Sequence, residues 1–243
     1  MNKNVDISHY QSLLNKLRDF IELRFGVYLD TIRGYQHNLK SFQSNQMQSV
    51  QQFGMSIEEL DKQDLIRGNG PPSSDLEECR SLEIHRMTQG NFKRNNSPGG
   101  SNYDFAIENC LSDVFNYWNR IKEKLGLKAE KDLDIFPITD YMRNLRNRLQ
   151  HDLYGERKVP ENEPIKIIKT VTSYSFPSFE IGHHVQLSEK DIEGIIFEVR
   201  AQFEKYLIPN LNKYLHKQQL ISKSARIALL IRCKNGAPSG IFN

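Results

Sequence analysis

Cysteine is scarce in this 243-residue chain. The three present, Cys79, Cys110 and Cys233, are odd in number and widely spaced, and no CxxC pair occurs. That pattern argues against a disulfide framework and a cysteine-built zinc site, and a reducing compartment is the simple reading. Long apolar runs are missing as well. The longest candidate, residues 227–231, is far too short to cross a bilayer, and the polar opening Met1-Asn2-Lys3-Asn4 lacks the apolar core of a secretion signal. A cytoplasmic protein with no membrane segment is expected. Net charge is low, formally +3, so a nucleic-acid site has to be a local basic patch. Apolar residues make up 38% and charged residues 26%, a balance that suits amphipathic helices with broad wet faces better than a large buried sheet. No P-loop, GxGxxG or GxSxG motif is found, so the common nucleotide-binding and serine-hydrolase signatures are missing.

What the chain does have is helical periodicity. Ile7, Tyr10, Leu14, Leu17, Ile21, Phe25, Tyr28, Ile32, Tyr35, Leu39 and Phe42 recur in steps of three and four, the stripe of one helix. Gly26 and Gly34 fall inside it, each costing about 1 kcal/mol relative to alanine, and mark where the helix would bend or break. Such a segment is either a kinked core helix or an arm that packs along a partner. Ser56-Ile57-Glu58-Glu59 has the form of a capping box and predicts a short helix ending before Gly68. Residues 68–74 are too rich in Gly and Pro for regular structure, residues 75–87 are predicted helical, and residues 91–102, which include Lys93 and Arg94, are predicted to be a mobile loop.

The spacing predicts a helix over residues 103–125, with Phe105, Ile107, Leu111, Val114, Phe115, Trp118, Ile121 and Leu125 on its buried side and Gly126 as C-cap. Pro137 opens the next helix, which runs to about Tyr154. Residues 161–187 read as two short strands flanking 173–178. Ser188 caps a last long helix carrying Ile192, Ile195, Ile196, Val199, Phe203 and Leu207, which Pro209 should kink or end. The expected fold is mainly α: a helical bundle with a long N-terminal helix and a small β-hairpin insertion. The segments are a helical dimerisation arm at 1–67, flexible loops with a short helix at 68–102, the bundle at 103–220 with its hairpin near 165–186, and a basic tail at 221–243.

One helix is divided unusually sharply. At about 100° per residue, Ile138, Tyr141, Met142, Leu145 and Leu149 share one face, while Arg143, Arg146, Asn147, Gln150, His151 and Tyr154 lie on the other. Arginine carries a permanent planar charge that grips phosphate in two places. Histidine moves protons near neutral pH. The amides can bond phosphate, sugar or base, or orient the imidazole. Together these groups could hold a phosphodiester, help a ribose 2′-hydroxyl attack it and stabilise the added negative charge, with no metal or cofactor. Arg143, Arg148, Gln150 and Tyr154 are the candidate RNA-phosphate contacts. Arg-x4-His spacing alone is weak, because it also occurs at Arg80 and His85. The Arg80 segment lacks the amides and the opposed apolar stripe.

Arg146-Asn147-Arg148-Leu149-Gln150-His151 resembles the hallmark of HEPN domains, helical bundles in which Arg, a polar residue and a few more residues precede His near a helix end. Arg143-Asn144 followed by six residues and His151 is a second register of that hallmark. The resemblance spans roughly residues 103–215. It implies a metal-independent endoribonuclease that leaves 2′,3′-cyclic phosphate and 5′-hydroxyl ends. Arg146 and His151 would be the catalytic pair, with Asn147 in support. It also implies a homodimer with two motifs facing one cleft, and a prokaryotic defence or toxin–antitoxin setting with RNA and an antitoxin or defence protein as partners. One branch of toxins carries Tyr two residues after the His; this chain has Leu153 there and Tyr154 one position later.

Other readings stand beside that one. A non-catalytic HEPN module would bind RNA or a partner protein, and the long N-terminal stripe favours protein contact. A solvated Arg-rich helix face would need no function. His183 and His184, adjacent on a strand, would point to opposite faces and cannot readily share a metal. Glu108 and Asp113 on the preceding helix are candidates to steer His151. Lys93, Arg94 and the tail basics Lys223, Arg226, Arg232 and Lys234 are candidate RNA grips, though most such charges are simply solvated.

Overall fold

The first helix, α1, runs unbroken over Ile7–Phe53 in the computed structural model, which describes residues 7–68, 83–127, 135–150, 170–177 and 187–217. Gly26 and Gly34 do not interrupt it. A Cβ at either position would meet nothing within 4 Å, so neither glycine answers a steric demand. Their helix cost is offset by burial of the stripe around them, where Phe25, Tyr28 and Ile32 are all inside.

The chain divides into two compact units, residues 29–106 and residues 1–28 with 107–243. In the smaller unit, Ser56 caps α2 (Ile57–Lys62) with a full capping box: its hydroxyl accepts the Glu59 N–H at 3.2 Å, and Glu59 accepts the Ser56 N–H at 2.8 Å. The helix stops sooner than its sequence suggests, because Asp64–Gly68 becomes strand β1. It pairs antiparallel with β2 (Glu83–Thr88), Leu65 opposite Met87 and Ile66 opposite Arg86. The helix expected over 75–87 is therefore a strand from residue 83 onward; residues 75–82 lie outside the described set. Ladder hydrogen bonds to a partner remote in sequence override local pattern here.

The loop expected over 91–102 is also corrected. Thr88 caps a helix α3 (Gln89–Asn95), its hydroxyl accepting the Asn91 N–H at 3.1 Å. Phe92 is buried against Phe42, and Lys93 pairs with Asp61 at 2.6 Å. Buried Asn96 donates to the Phe92 carbonyl and accepts from Asn102. Gly100 passes so close to the Arg94 carbonyl that a side chain there would collide with it. The Asn, Ser and Gly residues that suggest a loop are caps and a tight reversal between two helices. Gln46, on α1, is buried and donates to both Asp61 and Gln89.

The larger unit is a helical bundle. Its core takes Leu14, Leu17 and Ile21 from α1, Leu111, Trp118 and Ile121 from α4 (Ser101–Lys124), Tyr141, Met142 and Leu145 from α5 (Ile138–Gln150), and Ile192, Ile195 and Val199 from α6 (Glu189–Gln202). Phe105, expected on the buried side of α4, is 62% exposed. Gly126 ends α4 as expected: at φ +68 it lets the Leu127 N–H reach the Lys122 carbonyl and its own N–H reach that of Glu123. Arg18–Glu204, Arg200–Glu22 and Arg24–Asp113 ion pairs tie α1 to its neighbours.

Ser188 caps α6 with a second capping box, to Asp191. Pro209 does not end the helical run. The backbone widens into a π-turn over Phe203–Leu207, where the Ile208 N–H bonds the Phe203 carbonyl, and then resumes as α7 (Ile208–Lys217). A proline just past a wide turn escapes the clash with the preceding turn that a regular helix would impose. The strands expected near 165–186 lie outside the described residues except for 170–177, which are irregular. The tail 221–243 is likewise outside. Among the described residues, no helix is long and apolar enough to cross a membrane.

Candidate functional site

The polar face of α5 exists because its opposite face is committed to the core. Ile138, Tyr141, Met142 and Leu145 are each at most 1% exposed. The helix is anchored at its start. Its first N–H, on Ile138, donates to the Gln202 side-chain carbonyl at 2.8 Å, so an interior side chain on α6 satisfies a group that helix geometry leaves unpaired.

Gln202 belongs to a buried chain of hydrogen bonds. Its amide nitrogen donates to Glu198 at 2.8 Å. Glu198 is 0% exposed and also accepts the Val171 N–H at 2.6 Å, the Thr172 N–H at 2.9 Å and the Thr172 hydroxyl at 2.6 Å. Burial alone would push its pKa up. The donors from Thr172, Gln202 and Val171 outweigh that, and the carboxyl sits below the ordinary glutamate value. A second anchor holds the same irregular segment. The Tyr174 hydroxyl bonds Asp191, its ring covers Gly194, and Phe176 packs edge-on to both Tyr174 and Tyr141. Burial, aided by Asp191, raises the Tyr174 pKa.

On the outward face, Arg146 is half-buried and held from three sides. Its guanidinium lies 4.8 Å over the Phe115 ring. One terminal nitrogen donates to Asn116 at 3.2 Å, and the other joins Nε on the Asn147 side-chain oxygen, at 2.7 and 3.2 Å. Burial lowers its pKa, and the neighbouring Arg143 adds to that. Arg143 points outward and pairs with Asp140 one turn back. A guanidinium has five N–H donors, and these contacts use one on each of its three nitrogens. One donor on each terminal nitrogen is left without a partner among the described residues.

The structure thus brings Arg143, Arg146 and Asn147 together on one helix face. Arg148 and Gln150 belong to the same helix, but their side chains lie outside the described set, and His151 and Tyr154 lie beyond it altogether. Arg80 and the histidine pair at 183–184 are also outside; His85 is in β2, opposite Arg67. Asp113 is engaged by Arg24 at 2.6 Å. Lys93 is engaged by Asp61. Buried Cys110 has its thiol pushed up to about 12, by burial first and Asp113 second. Among the described residues, no cluster of His, Cys, Asp or Glu could hold a metal ion.

Sequence reasoning misses Phe115 as the bed of Arg146, Asn116 as its hydrogen-bond partner, and Gln202 with Glu198 as the anchor of α5. The spacing puts Phe115 on the buried side, which is right, and no pattern says which cation lies on it. Glu198 and Gln202 are spaced i, i+4 within a run of apolar residues, and that is the one signal that points to them. Comparison with known protein families, curated proteins and solved structures gives no match for this chain.

Proposed function

We propose that this protein is a metal-independent endoribonuclease of the HEPN type, with α5 as its reactive helix. The observation that carries the reading is the state of Arg146. It is oriented by Phe115, Asn116 and Asn147, set on the solvent side of a helix whose other side is core, and left with one N–H on each terminal nitrogen. A pre-oriented guanidinium suits charge that grows on a phosphate during reaction, because no reorganisation is needed at that moment. In the proposed step the ribose 2′-oxygen attacks phosphorus and the bond to the 5′-oxygen breaks. His151 moves the proton: the 2′-hydroxyl loses one and the departing 5′-oxygen gains one. The products are a 2′,3′-cyclic phosphate and a 5′-hydroxyl. Arg146 would stabilise the phosphorane charge and Asn147 would hold Arg146, with Arg143 adding positive potential. A second copy of the chain would complete the cleft.

A second reading has its own support. Three of the Arg146 donors are already engaged within the chain, as in an arginine whose task is to hold α5 against α4 in a binding module. Labelled total RNA incubated with the pure protein in EDTA separates the two. Cleavage by the wild type that disappears in His151→Ala supports the nuclease. RNA binding retained by both without cleavage supports the module.

A further inference from the structure

The outward face of α4 continues past Arg146 in a way the proposed reaction does not use. Asn116, Arg120 and Lys124 follow one another at intervals of four residues, about 6 Å apart along the axis and within about 80° of each other around it. All three are exposed. Tyr117 borders the row, partly exposed, with one ring face stacked on Phe20 at 4.0 Å and 11° between planes. Two nearby acids are engaged elsewhere: Asp113 by Arg24 and Asp140 by Arg143. Glu123 is exposed on the same face, and among the described residues no ion pair joins it or any other carboxylate to Arg120 or Lys124.

We infer that this face of α4 is a track for single-stranded RNA, in which Arg120 and Lys124 contact successive phosphates leading away from the one held at Arg146, and Tyr117 stacks a base. The inference rests on the ribonuclease reading and adds where the strand runs. Cations spaced at one-turn intervals along a helix match the repeat of a backbone, while an aromatic ring braced on one side offers a stacking platform to any base. A single strand fits because its bases are free to stack, whereas those of a duplex are already stacked on each other.

The test is anisotropy of a fluorescein-labelled single-stranded RNA against the full-length chain carrying His151→Ala, over a range of salt. Adding Arg120→Ala and Lys124→Ala together should make the slope of log K against log salt shallower by about 1.4, roughly 0.7 for each phosphate no longer neutralised. Tyr117→Leu should weaken binding at least about five-fold with the slope unchanged. Lys205→Ala, an exposed cation on another helical segment, should change neither. Melting curves of each variant confirm folding, and the Arg120 and Lys124 changes are on the surface. RNA that still binds with unchanged slope and affinity overturns the track but leaves the ribonuclease reading standing, provided the wild type cleaves. An equal effect of Lys205→Ala overturns it too, since the attraction would then be general. Absence of both binding and wild-type cleavage removes the ribonuclease reading and the track with it.

Discussion

The side-chain carbonyl of Gln202 accepts the N–H of Ile138 at 2.8 Å, so the start of the helix that carries Arg146 is fixed by a residue 64 positions away. The same side chain passes its amide to Glu198, which holds residues 171 and 172. Three separate stretches of chain therefore meet through two buried polar side chains.

Gln202→Leu should be costly for that reason. It leaves the Ile138 N–H without a partner in the interior, at about 1–3 kcal/mol, and takes from the Glu198 carboxylate one charge-assisted bond of about 1.5–3 kcal/mol, while Val171 and Thr172 still donate to it. Urea denaturation is expected to show a total loss of about 2–5 kcal/mol, with hydrogen exchange at the first turn of α5 rising most. A loss under about 1 kcal/mol would mean that water replaces the side chain and that the anchor is dispensable.

Acid should expose the same network. The Glu198 carboxyl titrates below the ordinary glutamate value when folded, so it binds protons less readily in the folded state than in the unfolded. Its contribution is fully present above the unfolded pKa and is lost as pH falls through the folded one. Comparison of denaturation midpoints for wild type and Glu198→Gln should show the gap largest near neutrality and narrowing below about pH 4. A gap that widens on acidification would give the carboxyl the opposite sign.

Gly194 is required by its neighbour. A Cβ there would run into the Tyr174 ring. Gly194→Ala is expected to destabilise by about 1–3 kcal/mol through overpacking, despite alanine's better helix propensity. In a Tyr174→Ala background the same change should become neutral or stabilising. That reversal, read from a double-mutant cycle, isolates the contact.

Arg146 separates charge from geometry. Arg146→Lys keeps the positive charge but loses the fork that spans Asn116 and Asn147 and the flat contact with Phe115. Stability should fall by only about 1 kcal/mol, because the site is half open. RNA cleavage in EDTA should fall by about a hundredfold or more. Cleavage at the wild-type rate would show that a simple cation suffices and that the held orientation has no catalytic purpose.

Local signals are sufficient wherever one element's own residues close its structure. The capping boxes at Ser56 and Ser188, the C-cap at Gly126, the stripe of α1 and the divided faces of α5 are all written within a few residues of where they act, since a helix satisfies its backbone from within. Strand β2 and helix α3 defeat a local reading because their settings are supplied from elsewhere: β1 completes the ladder of one, and Asp61 and Phe42 hold the other. The polarity of Arg143, Arg146 and Asn147 is likewise a matter of sequence, following from 3.6-residue periodicity. Their arrangement is not. Which ring lies beneath Arg146, which amide holds it and which glutamine starts its helix depend on α4 and α6 packing against α5, and the spacing within one helix does not name its partner on another.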